Sequence, residues 1–238
     1  MEKKLHILNG HTTLHLFQEA GIEGQAVVWN EILSDGPAIY EVGTEPFWKL
    51  RKDFVVATFG QGAAGYDQLI RDFEIVRSYR EYDEIILWYE YDWFCQINLM
   101  AILSWFYQVG VMNDTRISLI CAGKEEGYNR LVGLGQLPVR MYPELLDRRR
   151  SLSESNLRFA DNVWKTYVDD DPSELAFATI PHPVFRYISG AVKSYFTRFP
   201  DDTGLNQIER EILETIAARK VLNVDLLVRH MLQWQTYY

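Results

Sequence analysis

The run Glu84-Ile85-Ile86-Leu87-Trp88-Tyr89 constrains this chain more than any other segment. After its first position it is continuously apolar, without the alternation that would leave one face in water. It therefore predicts a strand buried on both faces, as in a parallel sheet covered by helices on either side. The run stops at Glu90-Tyr91-Asp92, and Trp93 to Gln108 then reads as a nearly all-apolar helix.

The rest of the first half repeats this alternation. Leu5 to Leu8 is a short apolar strand ending in Asn9-Gly10, followed by a helix with Leu14, Phe17 and Ala20 at helical spacing, Thr12 or Thr13 as its cap and Gly21 as its stop. Gln25 to Asn30 is a second strand, and Ser34-Asp35-Gly36-Pro37 is turn chemistry beyond it. Pro46 to Phe59 and Tyr66 to Tyr79 predict two helices divided by the glycine-rich stretch 60–65, and Ile117 to Ala122 a fourth strand. The expectation is an α/β domain over residues 1–123, a three-layer Rossmann-like or flavodoxin-like parallel sheet of about four strands.

After Gly123 the texture changes to helical spacing without a convincing strand. Tyr142 to Arg150, Ser153 to Val168, Pro183 to Phe199, Leu205 to Ala218 and Val224 to Trp234 predict an all-helical region over 124–238. Acidic, proline-containing breaks at 169–172 and 199–202 separate these segments, and Asn206 with Glu209 has the form of a capping box. The last two helices have the length of a helix-turn-helix, but Arg229 and His230 are the only obvious basic residues on the second, so DNA entry has little support. The chain ends on aromatic residues, Trp234, Tyr237 and Tyr238, which predicts that its end packs on something.

Composition narrows the function classes. At 238 residues, with 47% hydrophobic and 14% aromatic residues, the chain has material for a large core and is neither disordered nor a disulfide scaffold. The formal charge is -9, and it is uneven: nine Lys and Arg stand against seventeen Asp and Glu before Gly123, fifteen against sixteen after it. An acidic α/β half repels phosphate backbones, which argues against nucleic acid as a partner. No signal peptide opens the sequence, the longest apolar stretch falls short of a bilayer span, and two cysteines, Cys95 and Cys121, suit a reducing compartment, so a cytoplasmic protein without membrane contact is expected. A homo-oligomer remains open.

In open parallel sheets ligands bind beyond the carboxyl ends of the strands. The segments there are Asn9-Gly10-His11-Thr12-Thr13, Glu31 with Ser34-Asp35-Gly36, Glu90-Tyr91-Asp92 and Gly123-Lys124-Glu125. Their convergence would assemble a polar pocket in which Asn9, Gly10, His11, Thr12, Glu31, Ser34, Asp35 and Gln96 are the ligand-binding candidates. Glu90 and Asp92 are the catalytic candidates, as an acid and base pair or as ligands of a divalent cation, with helix capping as the plain alternative for Asp92. His11, His15 and Glu19 recur every four residues, which fits a metal face or ordinary amphipathicity. Nucleophile elbow, HExxH, dinucleotide fingerprint and phosphate-loop motifs are all absent from the sequence, so no reaction, metal or cofactor can be named from motifs.

Five segments, Leu5 to Gly10, Trp29 to Pro37, Leu87 to Asp92, Gly133-Leu134-Gly135-Gln136-Leu137 and Gly204-Leu205 with Glu209, taken in order, resemble a bacterial family catalogued as domain of unknown function 1835. The resemblance implies a shared fold without an assigned activity. It adds Gln136 to the candidate ligand residues and matches at Asn9, Gly10, Glu31, Glu90, Asp92 and Gln96. It departs at His11, where relatives carry an acidic residue, and at Tyr91, where they carry a histidine. Arg148 to Arg150 follow the Gly-Leu-Gly-Gln segment and could bring positive charge toward the acidic pocket, or form a solvated helix end. The expected function is binding of a small molecule or nucleotide at the strand ends. A hydrolase or transferase using Glu90 and Asp92, and a regulatory or scaffolding protein acting through its last helices, are the alternatives.

Overall fold

The computed structural model describes residues 2–60, 63–169, 172–219 and 223–234. In chain order the first half contains β1 (Lys4–Leu8), α1 (His11–Glu19), β2 (Gln25–Val28), α2 (Glu45–Phe59), α3 (Ala63–Arg77), β3 (Glu84–Glu90), α4 (Trp93–Gln108) and β4 (Arg116–Ala122). The second half contributes a 3-10 turn at Leu134–Gln136, then α5 (Met141–Asp147), β5 (Arg150–Ser151), α6 (Glu154–Val168), α7 (Ile188–Phe196), α8 (Gln207–Arg219) and α9 (Val224–Trp234). The glycine-rich break at 61–62, part of the acidic break at 170–171 and the aromatic end at 235–238 lie outside the described residues.

The sheet has the order β2-β1-β3-β4-β5. The first four strands are parallel, with Ile7 beside Leu87 and Leu87 beside Leu119 across the centre. Their side chains divide between two cores. Leu5, Ile7, Ile85, Leu87, Tyr89, Ile117 and Leu119 join a cluster with α2, α3, α4, α6 and α7, while Leu8, Ile86, Trp88, Ile120 and Ala122 join Phe17, Leu134, Tyr142 and Leu145 on the other face. Burial on both faces is what the unbroken run at Ile85 to Tyr89 requires. Helix α4 shows little amphipathicity because it too is enclosed, with Ile97 to Leu103 fully buried.

Four expectations are corrected. The sheet has five strands, because Arg150–Ser151 pairs antiparallel with β4, Leu119 opposite Arg150 and Ser118 opposite Ser151. Residues 124–238 are therefore not all helical, and a two-residue strand has no periodicity by which sequence could reveal it. Thr12 and Thr13 do not cap α1; Gly10 is the N-cap and supplies no side chain. The helix expected from Pro183 is shorter, α7 starting at Ile188. The box at Asn206 and Glu209 does form: Asn206 N–H donates to Glu209 Oε2 at 2.8 Å and Glu209 N–H to Asn206 Oδ1 at 2.9 Å. Residues from both sides of Gly123, including Ile97, Phe106, Leu157, Trp164 and Ile188, share one core. No described helix is long and apolar enough to cross a membrane.

His6 shows how tightly the α1 face is specified. It is fully buried, Trp88 Nε1 donates to its Nδ1 at 3.0 Å, and its Nε2 lies 3.2 Å from the Glu23 carbonyl. Because Nδ1 accepts, Nε2 carries the proton and the ring is neutral. Burial pushes its pKa down from 6.5 to about 4. The unfolded chain takes up the proton first, so stability from this group is present above pH 6.5 and is lost as pH falls toward 4. The stability difference between wild type and His6→Phe, measured by urea denaturation, should shift by roughly 3 kcal/mol against the wild type between pH 7 and pH 4. A difference constant over that interval would show that the folded and unfolded chains titrate His6 alike, so that burial does not lower its pKa.

Candidate strand-end site

The ends of β1 and β3 lie side by side at the centre of the sheet, while the chain leaves them toward opposite neighbours, β2 and β4. This is the position where an open α/β sheet has a crevice. Asn9 follows β1 directly and is fixed from three sides. Its backbone N–H donates to Trp88 O at 3.1 Å, its Nδ2 to Cys95 Sγ at 3.3 Å, and its Oδ1 accepts from Thr13 Oγ1 at 2.6 Å. Gly10 then opens α1 without a capping side chain, so the first N–H groups of that helix have no intrahelical acceptor.

At the end of β3, Asp92 caps α4, accepting from Cys95 N–H at 2.8 Å. Glu90 is held from across the site, where its Oε2 accepts from Leu134 N–H at 2.5 Å. Tyr142, stacked on Trp88, donates to Leu134 O at 3.0 Å and anchors the same turn from beneath. Gly133 and Gly135 allow the close approach. A Cβ on Gly133 would lie 2.5 Å from Glu90 Oε2, and one on Gly135 3.0 Å from Thr12 Cγ2. Gln136 closes the turn by accepting from Gly133 N–H at 3.2 Å.

The result is a cavity of about 330 Å³ lined by Asn9, Gly10, His11, Thr12, Glu90 and Gln136 among others. Six of the candidate residues are thus brought together. Asp92 sits directly behind Glu90, and the ligand atoms of Glu90, Asp92 and Cys95 lie within 4.8 Å of one another, the one such cluster of three among the described residues. His11, His15 and Glu19 form no such cluster.

Burial, then the neighbouring Asp92 carboxylate, pushes the Glu90 pKa up from 4.5 to about 7. Burial also raises Asp92, though its hydrogen bonds from Cys95 and Glu90 oppose the rise. The contact between the two carboxyls raises Glu90 and lowers Asp92, so the pair keeps a shared proton preferentially on Glu90. The Cys95 thiol is raised well above its ordinary value by burial and by these carboxylates, so it is no thiolate nucleophile.

Four candidates are placed elsewhere. Glu31 is fully buried in an ion pair with Arg51 at 3.0 Å, which removes it from the pocket. Ser34 and Asp35 belong to the adjoining turn, where their carbonyls accept from Arg198 and Arg51. Gln96 is fully buried below the pocket, donating to Glu90 O at 2.7 Å and Cys121 Sγ at 3.4 Å while its Oε1 has no partner. Arg149 carries its charge to Glu84 at the opposite end of β3, 2.8 Å away, and Arg148 pairs with Glu125. Neither reaches the acidic pocket.

Cys95 and the Gly133–Gly135 part of the turn contribute although they were not among the sequence candidates. Cys95 stands three residues after the Asp92 cap, so the first turn of α4 brings them together, and Gly135 lies in the Gly-Leu-Gly-Gln turn. No protein-family model matches the chain, and no curated protein gives a significant sequence match.

Proposed function

We propose that this protein binds a small polar molecule in the pocket between α1, the end of β3 and the Gly133–Gln136 turn. The observation that carries the reading is the meeting of unlike groups around one cavity: free N–H groups of α1, the Glu90 carboxyl whose pKa is pushed up, with Asp92 behind it, and the amide of Gln136. The strand order resembles the flavodoxin-like doubly wound arrangement, in which this place is the ligand crevice. A ligand with an oxygen acceptor for the helix N–H groups and a hydroxyl or amine for the carboxyl pair fits. A nucleotide fits when a divalent cation accompanies its phosphates, because Asp92 would otherwise repel them. The cavity is at the small end of ligand pockets, suited to one compact molecule.

Thermal-shift and calorimetric titration of the full chain with nucleosides, nucleotides with and without magnesium, and amino sugars tests this. One of these classes should raise Tm, and Gly135→Val, which pushes a side chain into Thr12 at the mouth, should weaken that binding at least about tenfold. If none stabilises the protein and Glu90→Gln changes no response, the reading fails.

A second reading rests on the Glu90 pKa near 7, the value that serves a general acid and base best. On this reading the pocket belongs to a hydrolase or transferase, with Glu90 moving the proton and Asp92 orienting it or both holding a divalent ion. Turnover of generic ester and phosphoester substrates with added magnesium, manganese or zinc, lost in Glu90→Gln, would support it; absence of both turnover and metal binding would remove it.

A further inference from the structure

A second cavity, of about 390 Å³, opens beside β4 between α5 and the segment leading into α7. Its rim carries four cations, Lys124, Arg148, Arg150 and Arg186, against the single carboxylate of Glu125. In a chain of net charge -9, an excess of three positive charges around one opening is a local inversion of the protein's field. Glu125 is used by Arg148, 3.0 Å away, and Arg150 donates to the Pro183 carbonyl at 3.3 Å. Lys124 and Arg186 have no carboxylate partner among the described residues.

These cations come from three separate stretches of chain, around 124, 148–150 and 186, so they are not the solvated face of one helix. Backbone contacts preset their positions. Arg150 is placed by its pairing with Leu119, and Lys124 by its N–H donating to Tyr187 Oη at 2.7 Å. The Tyr187 ring lies so close to Gly123 that a Cβ there would meet it at 2.4 Å. Below the rim the walls are apolar, with Leu145, Val184 and Tyr187 facing the cavity.

We infer that this cavity is a binding site for a small organic phosphate, its anion held by the Arg148, Arg150, Arg186 and Lys124 rim and its body against Leu145, Val184 and Tyr187. Guanidinium groups match phosphate oxygens in pairs, and an apolar floor favours a ligand with a carbon body over the bare ion. A single opening of this size also favours a small molecule over a nucleic-acid strand, which needs an extended basic track. The site is separate from the acidic pocket, although the Tyr187 ring touches Tyr91 of that pocket, with ring centres 6.3 Å apart.

Calorimetric titration of the full chain at low salt with inorganic phosphate, phenyl phosphate, adenosine 5′-monophosphate and a short oligonucleotide is the test. Phenyl phosphate or the nucleotide should bind saturably and more tightly than inorganic phosphate. Arg186→Glu, at an exposed side chain with no carboxylate partner, should weaken that binding by at least about tenfold with Tm unchanged. Gly135→Val should leave it as it was. The inference is overturned if no phosphate binds saturably, if Arg186→Glu has no effect, if Gly135→Val removes the binding, or if the oligonucleotide is preferred.

Discussion

Arg51→Met should lower the stability of the folded chain by about 4 kcal/mol, a large part of the margin of an ordinary domain. Arg51 is fully buried, and each of its three nitrogens is committed: Nε to Glu31 Oε1 at 3.0 Å, Nη1 to the Asp35 and Pro37 carbonyls at 2.9 and 2.6 Å, Nη2 to the Ile32 carbonyl at 2.7 Å. One side chain on α2 thereby holds the whole turn after β2. Met fills the volume but strands three carbonyls and leaves Glu31, whose pKa burial already raises, as a buried acid without its cation, with Tyr66 Oη at 3.3 Å as its remaining side-chain donor. Adding Glu31→Gln should return only part of the loss, because the carbonyls stay unpaired. Urea denaturation at pH 7 measures both variants; a loss under about 1 kcal/mol for Arg51→Met would mean that the turn re-forms without its clip.

Glu90→Gln should stabilise the protein at pH 8 and do little at pH 5. The folded chain holds the Glu90 proton up to about pH 7, whereas the unfolded chain releases it near 4.5. Between those values the folded state binds the extra proton, so the contribution of this group falls as pH rises through the window and stays low above it. Glutamine is neutral throughout and can still accept from Leu134 N–H. Its advantage over wild type should therefore grow by about 2 to 3 kcal/mol from pH 5 to pH 8. An equal effect at both pH values would assign Glu90 an ordinary carboxylate pKa and weaken the acid–base reading of the pocket.

The centre of the sheet was legible because burial on both faces writes itself into sequence as an unbroken apolar run, and β3 with α4 carries the longest such record. Asn9, Gly10, Glu90 and Asp92 were legible from position alone, since strand ends in a parallel sheet share one edge. Glu31 was misplaced by the same rule. A carboxylate after a strand looks alike whether it faces a ligand or an arginine twenty residues later, and only the folded chain shows Arg51 arriving. The Gly133–Gln136 turn could be noticed as a motif, but nothing local says that it docks on Glu90, because its partner lies more than forty residues earlier. Strand β5 left no trace for the opposite reason: two residues are too few to carry a pattern.

That brief strand has a consequence for how copies of this molecule meet. It covers the outer edge of β4, where Leu152 N–H also donates to Ile117 O at 2.8 Å. At the far side of the sheet β2 is only four residues long, and its outward Val28 N–H is already taken by Asp72 Oδ2 at 3.1 Å. Each margin is thus short and partly occupied among the described residues, which leaves little ladder for strand addition, the usual route from an open sheet to fibrils. Helical surfaces offer more to a second copy, and α8 and α9 present Leu213, Val224, Leu226 and Val228 to solvent there.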